Sequence, residues 1–148
     1  MQMTGVYNIR DFGAAGDGVT LDTAAIQRAI DACTEAGGGT ILVPPGTWLT
    51  GTIYLKSHVN LHLMAGATLL GSSRREDYNP DDIFPENPVF SRENVTGAHL
   101  IIAYQADHVS ITGEGTVDGN SAAFFEPLSP EEDSASYRSK HRNYAVRE

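Results

Sequence analysis

Two adjacent carboxylates, Asp81 and Asp82, are the residues whose types could most directly support acid–base chemistry. They lie in NPDDIFPENP, a proline-rich segment that lacks the alternation of a strand. Nothing in this pattern orients both side chains into one groove. Consecutive carboxylates in a loop are usually exposed to solvent and have no catalytic role. The sequence therefore assigns no catalytic residue to the chain.

Three other patterns could carry chemistry, and each has a simpler structural interpretation. The glycines at 13, 16 and 18 do not follow the GxGxxG spacing, and no GK[ST] follows them, so a turn-rich connection is favoured over a phosphate loop. Cys33, the single cysteine, falls on the apolar face of a predicted helix and is expected to be a buried hydrophobe without a disulfide partner. Trp48 follows a buried type of strand, which indicates a core residue and not a ligand platform.

Short strands recur along the chain at a spacing that predicts a solenoid. Residues 59–63 alternate apolar and polar side chains, as a strand with one buried face does. The pattern His-Val-x-apolar at 58–61 recurs at 108–111, an offset of 108 − 58 = 50 residues. The segment that begins at Thr68 recurs from Thr116, an offset of 116 − 68 = 48 residues. Repeats with periods of about 20–50 residues are typical of solenoids, and a sandwich of short strands is the alternative.

A helix over residues 22–36 is predicted to close the first coil. Its apolar residues follow the i, i+3, i+4, i+7 spacing, with Ile26 and Ile30 at the centre. Asp22 stands at the N-cap, where its carboxylate is expected to accept backbone N–H groups of the first turn. The helix would shield apolar side chains and a strand edge that the first coil otherwise exposes.

The chain of 148 residues is interpreted as the N-terminal part of one domain. After the helix we expect the first coils at 40–71, a loop excursion at 72–97, the next coil at 98–120 and an irregular tail at 121–148. Nothing after Asn120 has the amphipathic pattern of a second cap. The chain is therefore expected to associate with itself through the apolar side chains of its last coil.

Composition and charge exclude several classes of partner. The net charge of −9 argues against nucleic acid, which requires a basic face. The longest apolar stretch, around 100–103, is far shorter than the ~20 residues that span a bilayer, so no membrane contact is expected. The N-terminus lacks a signal peptide, which predicts a cytoplasmic protein, or a secreted or periplasmic one if the chain is a processed form.

Several segments between Tyr7 and Asn120 together resemble the N-terminal region of one enzyme family. These are YNIRDFGAAGDGVTLDTAAIQRAIDAC, GGGTILVPPGTWLTGTIYLKSHVNLHLMAGATLLGS and VSITGEGTVDGN. They resemble polygalacturonase-like enzymes of glycoside hydrolase family 28, in the pectate-lyase-like superfamily, and look most like bacterial exo-acting members. The resemblance implies an all-β, right-handed parallel β-helix that hydrolyses galacturonan α-1,4 linkages with inversion. It also implies a pectin-derived galacturonide as partner and no metal or cofactor.

The catalytic motifs that the resemblance implies are absent from this chain. The family uses aspartates in NTD and DD motifs with a GHG histidine and an RIK pair, and only the DD of Asp81-Asp82 occurs here, by letters alone. Asp118 matches a family position that is a turn. We therefore expect the catalytic carboxylates to lie in coils beyond this chain, because inverting hydrolysis needs two carboxyl groups ~6.5–9.5 Å apart across the sugar.

The residues that could contact a sugar are Lys56, His58, Arg138 and Arg142. His58 and His108 stand at equivalent points of adjacent coils, which favours stacking of the two rings over ligand binding. Two other functions stay open beside the hydrolase. One is a non-catalytic carbohydrate-binding or structural β-helix module of the tail-spike type, and the other is an inactive fragment.

Overall fold

The computed structural model describes residues 5–84, 98–127 and 144–146. One α-helix, α1, spans Thr23–Glu35, and short 3-10 turns cover Ile9–Phe12, Arg75–Asp77 and Ser121–Ala123. The strands of the described part are β1 (Gly5–Asn8), β2 (Asp17–Leu21), β3 (Gly39–Val43), β4 (Gly46–Thr50), β5 (Ile53–Tyr54), β6 (Val59–Leu63), β7 (Ala67–Gly71), β8 (Ile101–Ile102), β9 (Ser110–Gly113), β10 (Thr116–Asp118), β11 (Phe125–Pro127) and β12 (Tyr144–Val146).

Ten of these strands stack into three parallel sheets. The sheets have the orders β1-β3-β6-β9, β2-β4-β7-β10 and β5-β8, so each strand pairs with strands of the preceding and following turns of the chain. Strands β11 and β12 form a separate antiparallel pair. In a parallel β-helix, each coil of the chain contributes one strand to each of the parallel sheets, as here. The fold class predicted from the sequence is confirmed.

The register of the sheets follows the sequence repeat. Leu61 pairs with Ile111, and Thr68 pairs with Thr116, as the two offsets predict. Inward-facing side chains consequently form continuous columns through the stack, since residues that pair in a parallel sheet point to the same side. The aligned members of these columns include Ile41 and Leu61 in one sheet and Trp48 and Leu69 in the next, all of which are fully buried.

The first coil differs from the sequence prediction. Strand β1 ends at Asn8, where the side chain of Asn8 accepts a hydrogen bond from the N–H of Arg10 and a 3-10 turn begins. Residues 17–21, predicted as part of a turn-rich connection, form β2 and pair with β4. Strand β2 carries exposed side chains along most of its length, and the glycines at 16 and 18 indicated a turn at this point. Strands β1 and β2 form a coil in front of the coils predicted at 40–71.

Helix α1 occupies the third side of this first coil and closes the edge of β5. The side-chain amide of Gln27 donates to the carbonyl of Tyr54 (3.1 Å) and accepts from its N–H (2.9 Å), as a neighbouring strand would. The hydroxyl of Thr23 accepts from the N–H of Gly51 at 2.8 Å. Side chains of α1 thus satisfy backbone groups that would otherwise lie at an open sheet edge. The buried residues of the helix are Ala25, Ile26, Ala29, Ile30 and Cys33.

Asp22 precedes α1 as predicted, but its carboxylate does not cap the helix. It makes no side-chain hydrogen bond to the first turn of α1. Its two oxygens accept instead from the N–H groups of Ala15 (2.7 Å) and Gly16 (3.0 Å). Asp22 is buried, and charge-assisted bonds to two backbone donors suit a buried carboxylate. The residue therefore ties the turn before β2 to the start of the helix.

The opposite end of the stack is open in the described part of the chain. Strands β9 and β10 are the last of their sheets, and neither has a partner on its outer side among the described residues. Ile111 is 50% exposed and Val117 46%, whereas the residues paired with them, Leu61 and Leu69, are fully buried. No helix among the described residues is long and apolar enough to cross a membrane.

Replacing Ile30 by alanine should lower the melting temperature by several degrees or prevent soluble expression. Ile30 is fully buried, and truncation of such a side chain generally costs ~2–5 kcal/mol. Thermal unfolding followed by circular dichroism measures the effect. Val19→Ala, at an exposed position of β2, is the matched control and should melt as the parent does. An unchanged melt for Ile30→Ala would show that the helix does not pack on the stack.

The isolated chain should self-associate through its open end. Exposed apolar side chains and unpaired strand edges favour association even in a protein of net charge −9. Sedimentation velocity at several concentrations should show a mass that rises with concentration, and Ile111→Lys should suppress the rise. A parent protein that stays monomeric throughout the concentration series would contradict the prediction.

Candidate functional site

Two exposed tyrosines define the outer side of the β5–β8 sheet. Ile53 and Leu55 are buried in the core on either side of Tyr54, so Tyr54 points outward and is 39% exposed. Tyr54 pairs with Ile102 of β8, and Tyr104 lies two residues further along, 47% exposed. Because β5 pairs with β8, the two exposed rings belong to adjacent coils, Tyr54 within β5 and Tyr104 just after β8. We refer to Tyr54 and Tyr104 as the tyrosine face.

Two stacked histidines lie at the corner that follows this sheet. The rings of His58 and His108 have centroids 5.1 Å apart and an interplanar angle of 17°. Both residues adopt a left-handed backbone, with φ of 64° and 55°. The N–H of Asp107 donates to the hydroxyl of Ser57 (3.0 Å), and the N–H of His58 donates to the carbonyl of Asp107 (2.9 Å). The predicted stacking is confirmed, and a role of His58 in ligand binding stays a prediction.

Lys56, another of the predicted contact residues, is engaged by helix α1. Its Nζ lies 2.6 Å from Oδ1 of Asp31. Partial burial acts to raise the pKa of Asp31, but hydrogen bonds from Lys56 and Gln27, with the charge of Lys56, outweigh it and hold that pKa below its ordinary value. The charge of Lys56 is therefore already balanced within the protein.

The long excursion between β7 and β8 is anchored at both ends by one buried amide. The Oδ1 of Asn79 accepts from the N–H of His99 (2.8 Å), and its Nδ2 donates to the carbonyl of Asp81 (2.7 Å). The N–H of Asn79 donates to the hydroxyl of Thr52 (2.8 Å), which itself donates to the carbonyl of His99 (2.6 Å). These bonds fix the position at which the excursion leaves and rejoins the stack.

Asp81 and Asp82 have different surroundings. Asp81 is exposed, as expected of a loop carboxylate. The side chain of Asp82 is only 14% exposed, and its Oδ1 lies 3.5 Å from Nε2 of His99 and accepts from the N–H of Phe84 (2.9 Å). Within the described part of the excursion, residues 72–84, Asp82 lies beside His99, which precedes β8, and is therefore not simply a solvent-exposed loop residue.

Phe84 links the excursion to the tyrosine face. Its ring lies edge-on to the ring of Tyr104, with centroids 5.8 Å apart, and edge-on to His99 at 5.6 Å. Edge-to-face contacts of this kind are favourable at such distances. Phe84 therefore supports Tyr104 from the excursion side of the face.

The carboxyl groups whose pKa is shifted are not suited to protonate a leaving group. Hydrogen bonds from the N–H groups of Thr20 and Val19 and from the Thr20 hydroxyl lower the pKa of Asp17 to about 2. A hydrogen bond from its own backbone N–H and one from Arg74 lower the pKa of Glu76, and that of Asp31 is also lowered. A general acid in glycoside hydrolysis needs a raised pKa.

Trp48, Cys33 and Asp118 have the structural roles predicted for them. Trp48 is a fully buried core residue, and its Nε1 donates to the carbonyl of Pro44 at 2.7 Å. Cys33 is also fully buried, and burial raises its pKa. Asp118 accepts from the N–H of Asn120 at 2.8 Å, the turn contact expected of it. Arg138 and Arg142 lie outside the described residues.

Within the described ranges no group of three or more His, Cys, Asp or Glu side chains could hold a metal ion.

The reasoning from sequence missed Tyr54, Phe84 and Tyr104. The outward position of Tyr54 was visible in the alternation of Ile53 and Leu55 around it. The contacts of Phe84 and Tyr104 depend on how the excursion folds back, which no local pattern encodes.

Comparison with known proteins finds one matching family model and relatives with different functions. Residues 6–98 match the family model described as rhamnogalacturonase A/epimerase, pectate lyase-like. The chain is 43% identical over 123 residues to an exo-poly-α-D-galacturonosidase of Dickeya chrysanthemi, an alignment that covers 78% of this chain and 19% of that protein. It is 38% identical over 117 residues to the plasmin and fibronectin-binding protein A of Streptococcus pneumoniae, covering 78% of this chain and 15% of that protein.

A solved structure agrees with the sequence similarity. The family 28 exopolygalacturonase of Yersinia enterocolitica superposes with a TM-score of 0.68 and 34% identity, over 86% of this chain and 22% of that enzyme. The chain therefore spans about a fifth of the length of the Dickeya and Yersinia enzymes.

Replacing Asn79 by alanine should release the base of the excursion. The change leaves the N–H of His99 and the carbonyl of Asp81 without their partner, and each unsatisfied buried group generally costs ~1–3 kcal/mol. We expect a lower melting temperature and faster limited proteolysis between residues 72 and 100. Asn60→Ala, at a half-buried position on the outer face of β6, is the control. Equal proteolysis of Asn79→Ala and the parent would contradict the anchoring role.

Proposed function

Since this chain belongs to the pectate-lyase-like rhamnogalacturonase A/epimerase family, we propose that it forms the N-terminal coils of a glycoside hydrolase that acts on galacturonan. The observation that carries the proposal is the similarity to the exo-galacturonosidase, which extends over most of the chain. The shared coil geometry with a family 28 exopolygalacturonase supports it.

The described residues would form one end of a substrate-binding surface and not the reacting centre. Exposed tyrosines, histidines and amide side chains are groups that bind sugars, whereas inverting hydrolysis also needs a protonated carboxyl group opposite a carboxylate that activates water. The carboxyl groups with shifted pKa favour the ionised form instead. We assign the catalytic aspartates to later coils of the enzyme, where they would protonate the leaving oxygen and activate the water.

A non-catalytic binding module is the second candidate. It is favoured by the similarity to the pneumococcal plasmin and fibronectin-binding protein, which reaches 38% identity over 117 residues. In this case the same coils would present a surface to a partner and would not need carboxylates in a groove. The two candidates differ in whether the coils are compatible with hydrolysis of galacturonan.

A chimera separates the two candidates. Residues 5–120 would replace the corresponding front coils of the Yersinia exopolygalacturonase, and the front coils of the pneumococcal protein would replace them in a control chimera. We expect the first chimera to release galacturonate from polygalacturonate and the control to be much less active. Melting curves establish that both chimeras are folded. A folded first chimera no more active than the control would reject the hydrolase assignment.

The 148-residue chain alone should not hydrolyse polygalacturonate or oligogalacturonides. It carries none of the NTD, GHG and RIK motifs of the family, and its described carboxyl groups with a shifted pKa favour the ionised form. Release of reducing ends, measured against a buffer blank, should stay at background. Release above background that disappears in Asp82→Asn would instead make the excursion catalytic.

A further inference from the structure

The turn from Tyr104 to His108 has an unusual backbone conformation that the stacking of coils alone does not require. Two of its residues, Gln105 and His108, have left-handed backbones with φ of 49° and 55°. The corresponding turn of the preceding coil has one such residue, His58. Left-handed conformations are uncommon for residues other than glycine, and they concentrate at ligand-binding sites. The conformation of this turn therefore indicates a constraint beyond stacking.

The turn presents one aromatic ring and three hydrogen-bonding side chains to solvent. Tyr104, Gln105, Asp107 and His108 are all exposed. Gln105 lies beside the ring, with its Nε2 3.5 Å from the hydroxyl of Tyr104. Tyr104 is supported by Phe84 from the excursion. A ring held in place beside amide, carboxylate and imidazole groups suits a sugar, whose C–H face stacks on the ring while its hydroxyls bind the polar groups.

The charged side chains around this turn disfavour the binding of an anionic sugar. Residues 98–127 contain no Lys or Arg, and they include Asp107 in the turn itself. The one lysine at the neighbouring corner, Lys56, is already paired with Asp31 at 2.6 Å. On the excursion, Arg75 donates to the carbonyls of Asn79 (2.8 Å) and Pro80 (3.2 Å). A uronate carboxylate normally requires a free arginine or lysine, and the described residues around this turn offer none.

We propose that the turn Tyr104–His108 is a binding site for an uncharged hexopyranose unit, such as a methyl-esterified galacturonate. Tyr104 stacks on the sugar, Gln105, Asp107 and His108 bind its hydroxyls, and Phe84 positions the tyrosine. The site rests on the proposed galacturonan function and adds to it a preference for esterified over free uronate. The front coils would then hold neutral stretches of a pectin chain.

Titration calorimetry of the 148-residue protein with two matched probes tests the site. The probes are a fully methyl-esterified tetragalacturonide and the free acid obtained from it by de-esterification. At about pH 8, where imidazoles in proteins are generally uncharged, the ester should bind about tenfold more tightly than the acid. Tyr104→Ala should weaken binding of the ester by about tenfold, and Tyr104→Phe, which keeps the ring and loses only the hydroxyl, should weaken it less. Thr116→Ala, on the outer face of another sheet, is the control.

Four outcomes would overturn the proposal. These are equal or tighter binding of the free acid, full binding by Tyr104→Ala, no binding of either probe, and acid binding that appears only near pH 5 and is lost in His108→Asn. The last would assign the turn to anionic sugars held by protonated histidines. None of them decides the galacturonan function, which the activity of the chimera decides independently.

Discussion

A coil of this protein buries its apolar side chains only when another coil lies against it. Leu61 is fully buried because β3 and β9 flank its strand, whereas Ile111, one coil further, is half exposed. Since no sheet wraps around a separate core, each end of the stack needs its own closure. Helix α1 supplies one closure, with Gln27 occupying the free N–H and carbonyl of Tyr54.

The same stacking determines where a ligand-binding surface can form. Strands β5 and β8 have only two residues each, so side chains at the adjoining turns dominate this side of the molecule. The bonds made by Asn79 and Thr52 hold the excursion against these turns. Phe84 can therefore contact Tyr104 across a gap of twenty residues in sequence. A rigid stack thus allows variable loops to carry the recognition.

Features that depend on local pattern or on the repeat could be predicted from the sequence. The 50-residue offset placed His58 against His108, and the helical spacing placed Ile30 in the core. Features that depend on tertiary contacts could not. Strand β2 is formed by pairing with β4, whereas the glycines at 16 and 18 indicate a turn and not a strand. The carboxylate of Asp22 bonds to backbone groups six and seven residues earlier, an arrangement that competes with the helix cap its position suggested.

Each coil is stabilised by the coils that pack against it, so stability falls from the end closed by α1 towards the open end. Native-state hydrogen exchange, resolved by residue, measures this directly. The amides of β6 and β7, which have partners on both sides, should exchange far more slowly than those of β9 and β10. Uniform protection across the sheets would contradict the account, as would slower exchange in β9 and β10.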